Sequence, residues 1–187
     1  TQGQTKTHTI TVPANTGELR AMVYWLDPEG VANAARSLVN NIDMTVTDPS
    51  QTVYDPWILD HTPNAAALNS PATRGNDTIN NMEQVTLANP AAGTYTVTVN
   101  GDNIPQGPQR YYVVWETRAN GINITYPIGG EGFEPFVLQT IRWDATGLTN
   151  NINLEYSTDG GSTWNTISSS VPSQSRYYNW NVPNGVV

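Results

Sequence analysis

The sequence predicts an all-β fold: a β-sandwich followed by a smaller, truncated all-β domain. Three observations predict it. Nearly every periodic segment alternates with period two, the side-chain period of a strand. Turn residues punctuate these segments at Asp48-Pro49-Ser50, Asn89-Pro90 and Asn100-Gly101-Asp102. The pattern also restarts once, after Arg118-Ala119-Asn120-Gly121, which divides the chain into residues 1–118 and 119–187.

In order, Lys6 to Val12 alternates, with His8, Ile10 and Val12 on one face. Leu19 to Trp25 is a mostly apolar run. Ile42, Met44 and Val46 alternate with Asp43, Thr45 and Thr47. Met82, Val85 and Leu87 are separated by polar positions, and Tyr95, Val97 and Val99 alternate with threonines. Tyr111 to Trp115 is continuously apolar, which predicts a central strand. The single helical hint is Val31 to Leu38, "VANAARSL", short enough to be one turn inside a loop. Beyond the boundary, strands are expected at 122–126, 138–143, 152–156, 163–167 and 177–182, with Pro127-Ile128-Gly129-Gly130 as a turn-rich link. The second part is short for a seven-strand sandwich, which takes about 100 residues, so the sequence reads as a piece of a longer chain. It does not begin with Met and shows no signal peptide.

Composition narrows the function. The chain of 187 residues carries a formal charge of −8, with only 8 Lys and Arg. Binding a phosphate backbone needs clustered basic residues, so nucleic acid and anionic membranes are poor partners. No apolar stretch is long enough to span a bilayer. The absence of cysteine removes disulfides and thiolate metal sites. Abundant Asn, Thr and Gly with little Lys point to a secreted or cell-surface location.

Candidate sites follow from residue chemistry. A catalytic serine needs a base in reach and an oxyanion hole. His8 lies in a strand pattern and His61 in the loop "LDHTPN", without a nucleophile signature near either; both read as surface or edge histidines. The acids cannot be paired by spacing into a glycosidase dyad. Asp77, Asn80, Asn81 and Glu83 bring together oxygen donors of the kind calcium takes. Asp43 would join them if its strand pairs with theirs. The preferred reading of the cluster is a hydrogen-bonded turn: Asx side chains cap the loop, and Glu83 accepts main-chain amides from a neighbouring loop. "STDGGSTW" fits the Asp-box pattern at Ser157, Asp159, Gly161, Thr163 and Trp164. Its chemistry is structural, with Asp159 accepting turn amides and Trp164 packing over a hairpin. Trp25, Trp115, Trp143 and Trp180 sit in strand patterns and are expected in the core. Trp57, in "YDPWILD", is the best candidate contact residue, for a glycan or a neighbouring domain.

The blocks "LVNNIDMTVT" with "DPSQTVY", "NNMEQVTL" with "AAGTYTVTV", and "NIPQGPQRYYVV" resemble, in this order, the jelly-roll β-barrel domain that follows the catalytic domain of bacterial subtilisin-like serine proteases. That domain is a relative of the P-domain of kexin-like proprotein convertases. The resemblance covers roughly residues 5–118. The blocks "ITYPIGGE", "IRWDATG", "LEYSTDGGSTW" and "YYNWNVPN" resemble immunoglobulin-like modules of secreted Bacteroidetes proteins. The resemblance implies a non-catalytic accessory role, with the protease domain of the same parent chain as partner and calcium as a possible cofactor. The catalytic Asp, His and Ser of those proteases lie in the preceding domain, and their motifs are not in this chain. The rival expectations are a carbohydrate-binding module and an adhesive module with a surface protein as partner.

Overall fold

The computed structural model describes residues 1–186. The chain divides into two compact units, Thr1–Arg118 and Ala119–Val187. It is almost entirely β, built from antiparallel sheets, and no helix of the described residues is long and apolar enough to cross a membrane.

The first unit is a β-sandwich. One sheet contains β1 (Thr5–Val12), β8 (Gly93–Asn103), β3 (Asn41–Thr47) and β4 (Val53–Tyr54), hydrogen-bonded in that order. The facing sheet is β7 (Met82–Ala88), β2 (Thr16–Trp25) and β9 (Tyr111–Ala119). A separate pair, β5 (Trp57–Ile58) with β6 (Thr73–Arg74), lies in the long connection before β7. The chain crosses between the sheets from β1 to β2, β2 to β3, β7 to β8 and β8 to β9, the winding of a jelly roll.

Alternation explains the core. Ile10, Val12, Met44, Val46, Tyr95, Val97 and Val99 of the first sheet meet Leu19, Ala21, Val23, Trp25, Val85 and Leu87 of the second, all buried. Trp25 Nε1 donates to Asn40 O at 3.0 Å, and the Tyr95 hydroxyl donates to Ala91 O at 3.0 Å, so neither ring buries an unpaired polar atom. Gly93 opens β8 with φ +147°, and a Cβ there would stand 2.7 Å from Pro49 Cγ. The β3–β4 turn therefore packs directly on a glycine.

The outward positions of the two sheets differ. On the first sheet Thr7 faces Thr98, which faces Thr45, and Thr9 faces Thr96, which faces Thr47. On the second sheet the outward positions hold Met22, Tyr24, Met82, Tyr112 and Val114 together with Glu18, Arg20, Gln84, Thr86, Glu116 and Arg118.

Residues 31–38 form a turn inside a loop: Ala34 N donates to Val31 O at 3.1 Å, Asn33 takes φ 63°, and the Asp27 carboxylate holds the end of the loop through Val39 N at 2.7 Å and Asn40 N at 2.8 Å. Among the described residues the one α-helix, α1 (Ala65–Leu68), is capped by Asn64. Two expectations need correction. The apolar run at Tyr111 belongs to an edge strand, because β2 occupies the centre of its sheet. Trp115 on that strand is 53% exposed and not in the core.

The second unit packs a three-stranded sheet, β10 (Gly121–Tyr126), β11 (Leu138–Thr146) and β14 (Tyr177–Asn181), with a hairpin, β12 (Asn151–Tyr156) and β13 (Asn165–Pro172). Its core gathers Ile141, Trp143, Ala145, Leu154, Val171, Trp180 and Val182. Trp143 Nε1 donates to Ser173 O at 2.7 Å. Ile122 and Ile124 pair with Ala145 and Trp143. They nevertheless remain 46% and 55% exposed.

Candidate functional site

The polar cluster at the start of β7 is built around a carboxylate inside the sandwich. Glu83 points inward from β7 and is 1% exposed. Its Oε2 accepts Met44 N at 2.6 Å and its Oε1 accepts Asp77 N at 3.2 Å. Strand β4 pairs with β3 only at Val46 and Thr47, so it does not reach the Met44 amide, and the Glu83 side chain does. Glu83 thus ties the second sheet to the first and to the loop before β7. Burial pushes its carboxyl up to about 8; the two amides pull it down and the charge of Asp43 raises it further.

The rest of the cluster is spent on the turn. Asp77 Oδ1 accepts Ile79 N at 2.8 Å and Asn80 N at 3.0 Å, while its Oδ2 accepts Asn80 Nδ2 at 2.6 Å. Asn81 Nδ2 donates to Trp25 O at 2.8 Å, and Trp25 N donates back to Asn81 O at 3.2 Å. Asp43 does not join this group through strand pairing, because β3 and β7 lie in different sheets. Its carboxylate accepts Asn41 Nδ2 at 3.0 Å, and the same nitrogen reaches Asp102 at 3.2 Å. Partial burial, and then the charge of Asp102, raise the Asp43 pKa, while the Asn41 bond lowers it. Calcium needs six to eight oxygens converging on one point. Here the Asp43, Asp77 and Glu83 carboxylates already accept N–H groups, and Asn80 and Asn81 are held through their Nδ2 atoms. Among the described residues, no group of three or more acidic or histidine side chains is placed to hold a metal ion. The five residues as arranged do not fit the ion, and no role is derived through it.

Trp57 is 38% exposed and held by its neighbours. Its Nε1 donates to Thr86 Oγ1 at 2.7 Å, and the Arg74 guanidinium lies 3.7 Å from its ring centroid. Arg74 in turn donates to Asp55 O at 2.8 Å and Thr86 O at 2.6 Å, fixing the β5–β6 pair against β7. A groove of about 550 Å³ runs beside Trp57, with Leu59, Met82 and Gln84 among its walls. A second, of about 370 Å³, lies between Met22, Gln84, Val114 and Trp115. Gln84 is common to both, so they adjoin on the outer face of the β7–β2–β9 sheet. Tyr24 and Tyr112 stack on this face at 5.2 Å with planes 19° apart. Sequence analysis missed this surface. Its signal was present: the runs 19–25 and 111–115 lack the polar alternation of the threonine strands, as strands apolar on both faces do.

Each histidine has a modest environment. His8 Nε2 lies 2.9 Å from the Tyr111 hydroxyl, which bridges β1 and β9 at one edge of the sandwich. His61 follows Asp60, whose carboxylate caps Thr62 N at 2.9 Å.

In the second unit the Asp-box forms a closed turn. Asp159 accepts Thr163 N at 2.8 Å, Thr163 Oγ1 at 2.6 Å and Ser157 Oγ at 2.8 Å, and Ser157 Oγ accepts Gly161 N at 2.8 Å. These bonds, led by the Thr163 hydroxyl, hold the Asp159 carboxyl at about 2. Gly160 and Gly161 have φ of 70° and 89°, which a side chain would strain. Trp164 Nε1 donates to Gly161 O at 3.1 Å and leaves the ring 60% exposed.

Comparison with known proteins adds one relative. Over 102 residues, 54% of this chain, the sequence is 30% identical to tagB, a serine protease/ABC transporter B family protein of Dictyostelium discoideum. The chain spans 5% of that protein's length. No family model matches the chain. The likeness links about half of this all-β chain to a protein that includes a serine protease.

Proposed function

We propose that this chain is a non-catalytic accessory region of a secreted serine protease of the subtilisin-like kind. The first unit corresponds to the P-domain-like barrel of such enzymes and stabilises the protease domain by packing beside it. The second unit, an immunoglobulin-like module, spaces the enzyme from the surface that carries it. The 102-residue likeness to a serine protease/ABC transporter protein supports this reading; it is longer than the second unit, so it takes in part of the first. A sandwich of this kind acts by offering a rigid surface, and its loops serve to brace the two sheets.

The full gene product tests the proposal, with and without residues 1–118. A fluorophosphonate probe should label a serine in the intact product, and deletion should shorten the thermal half-life of that labelling. A gene product that the probe never labels, or a half-life indifferent to the deletion, would overturn it.

A further inference from the structure

Trp57 is fixed firmly for a side chain on so short an element. It projects from β5, which pairs only with β6. The Arg74 guanidinium covers one face of the ring at 3.7 Å, and Thr86 Oγ1 accepts its Nε1–H at 2.7 Å. Arg74 is itself pinned by the carbonyls of Asp55 and Thr86. The ring nevertheless stays half-exposed. The groove of about 550 Å³ touches Trp57 but neither Arg74 nor Thr86, whereas a neighbouring hollow of about 460 Å³ touches all three. The groove therefore meets the indole away from its covered face and its bonded edge. One wall is thus a rigid aromatic surface, and the volume lies within the range of small-ligand sites.

The other walls mix two chemistries. Leu59, Ala72 and Met82 are apolar, and Asn80 and Gln84 are amides. Met82, Gln84 and Thr86 are successive outward residues of β7, about 7 Å apart along the strand, so Gln84 stands one such step from the residue that bonds Trp57. Among the described residues the Gln84 amide has no hydrogen-bond partner, and the Asn80 side chain bonds only through its Nδ2, to Asp77. Each amide therefore has capacity to offer a ligand. Among the described residues no basic side chain lines the groove, and its one acid, Asp77, already accepts three N–H groups.

A ligand that matches these walls has an apolar face, a hydrogen-bonding rim and no net charge. A pyranose has that form. Its axial C–H bonds make a weakly positive face that stacks on the negative face of an indole, and its equatorial hydroxyls donate and accept at the rim. A purely apolar ligand would strip water from Gln84 and Asn80 and replace none of its hydrogen bonds. An anionic ligand would meet Asp77 in a chain of net charge −8. We propose that the groove beside Trp57 is a glycan site for a neutral, β-linked pyranose chain, with one ring on Trp57 and hydroxyls on Gln84 and Asn80. Rings of the gluco configuration place their substituents equatorially and keep both faces apolar, so such a chain lies flat along a groove. The inference gives the first unit a ligand of its own. It goes beyond the accessory reading and does not rest on it.

The 6 tryptophans report on the site one by one. Each indole N–H gives a signal in a proton–nitrogen correlation spectrum of the 187-residue chain, assigned by single substitutions. Titration with cellohexaose, xylohexaose and chitohexaose should move the Trp57 signal with at least one of them. Trp25 and Trp143, which are buried, should stay, and so should Trp115 and Trp164, which are exposed but do not line the groove. Trp57→Ala should weaken binding by about tenfold, followed at the Gln84 backbone amide, with an unmoved Trp25 signal showing that the sandwich has folded. Gln84→Ala should weaken it by about three- to tenfold, followed at the Trp57 indole.

A Trp57 signal unmoved by all three sugars at about 10 mM would overturn the proposal. Equal shifts at Trp115 or Trp164 would do the same, because they mark indiscriminate stacking, as would unchanged affinity in Trp57→Ala. Tighter binding of a galacturonate oligosaccharide than of cellohexaose would overturn the neutral class.

Discussion

The two sheets of the first unit share one core and present opposite exteriors. Inward, both carry buried aliphatic and aromatic residues in strict alternation. Outward, the β1–β8–β3 sheet shows ranks of threonine, and the β7–β2–β9 sheet shows Met, Tyr and Val among charged and amide side chains. Threonine suits a pleated surface through its branched Cβ and keeps a hydroxyl for water. That exterior needs no partner. Methionine and aromatic side chains gain little from water, and selection for solubility alone would not place them on an exposed sheet. The same alternating backbone thus yields a hydroxyl-rich exterior on one side and a partly apolar one on the other.

The largest effects should come from what the sheets have in common. Trp25→Ala removes a ring that is fully buried between them and the Trp25–Asn40 hydrogen bond. A loss of about 3–5 kcal/mol in urea-denaturation stability is expected. Glu83→Ala should cost on the order of 2–4 kcal/mol, because it strands the Met44 and Asp77 amides inside the sandwich. A loss under about 0.5 kcal/mol in either variant would mean that the sheets do not depend on each other as the hydrogen bonds indicate.

A smaller effect is expected from pH. The Glu83 carboxyl sits at about 8 in the folded protein, against an ordinary value of 4.5. Between those values the folded chain holds a proton that the unfolded chain has released. The stabilisation from this proton is complete below about pH 4.5 and is lost as pH rises through about 8. The carboxyl groups of Asp48, Asp60, Glu131 and Asp159 are lowered and titrate below this window. Asp43 is raised and adds with the same sign. Wild-type stability should therefore fall between pH 5 and pH 9, and Glu83→Gln, though less stable at pH 5, should fall less. Parallel pH profiles for the two proteins would show that Glu83 is ionised throughout.

Much of this was legible in the sequence, and the parts that were not share a physical cause. The threonine strands could be read because one face is apolar and the other polar, so alternation fixes both strand and orientation. Tyr111 to Trp115 and Leu19 to Trp25 gave no such contrast. A strand apolar on both sides reads as central, and β9 was misplaced for that reason. Trp115 was assigned to the core by the same logic, although an edge strand next to an apolar exterior leaves it in solvent. Glu83 was read as an acceptor of main-chain amides. That one of them belongs to Met44, on the opposite sheet, depends on how far β4 extends, which no local pattern states. The Asp-box needs only near neighbours, and its bonds from Ser157 to Thr163 follow the spacing of the motif.

The smallest effect on stability, and the sharpest test of the contrast, comes from exchanging the exteriors. Met22→Thr and Val114→Thr give the second sheet the chemistry of the first, while Thr96→Met gives the first sheet that of the second. Each changes an outward position and leaves the core intact, so each should move unfolding stability by no more than about 0.5 kcal/mol. Self-association should change much more. The threonine variants should stay monomeric at concentrations where the parent chain begins to associate, and Thr96→Met should associate sooner, both measured by light scattering. Equal scattering from all four proteins would mean that the Met and aromatic exterior is no stickier than the threonine one, and the difference between the two sheets would lose its functional meaning.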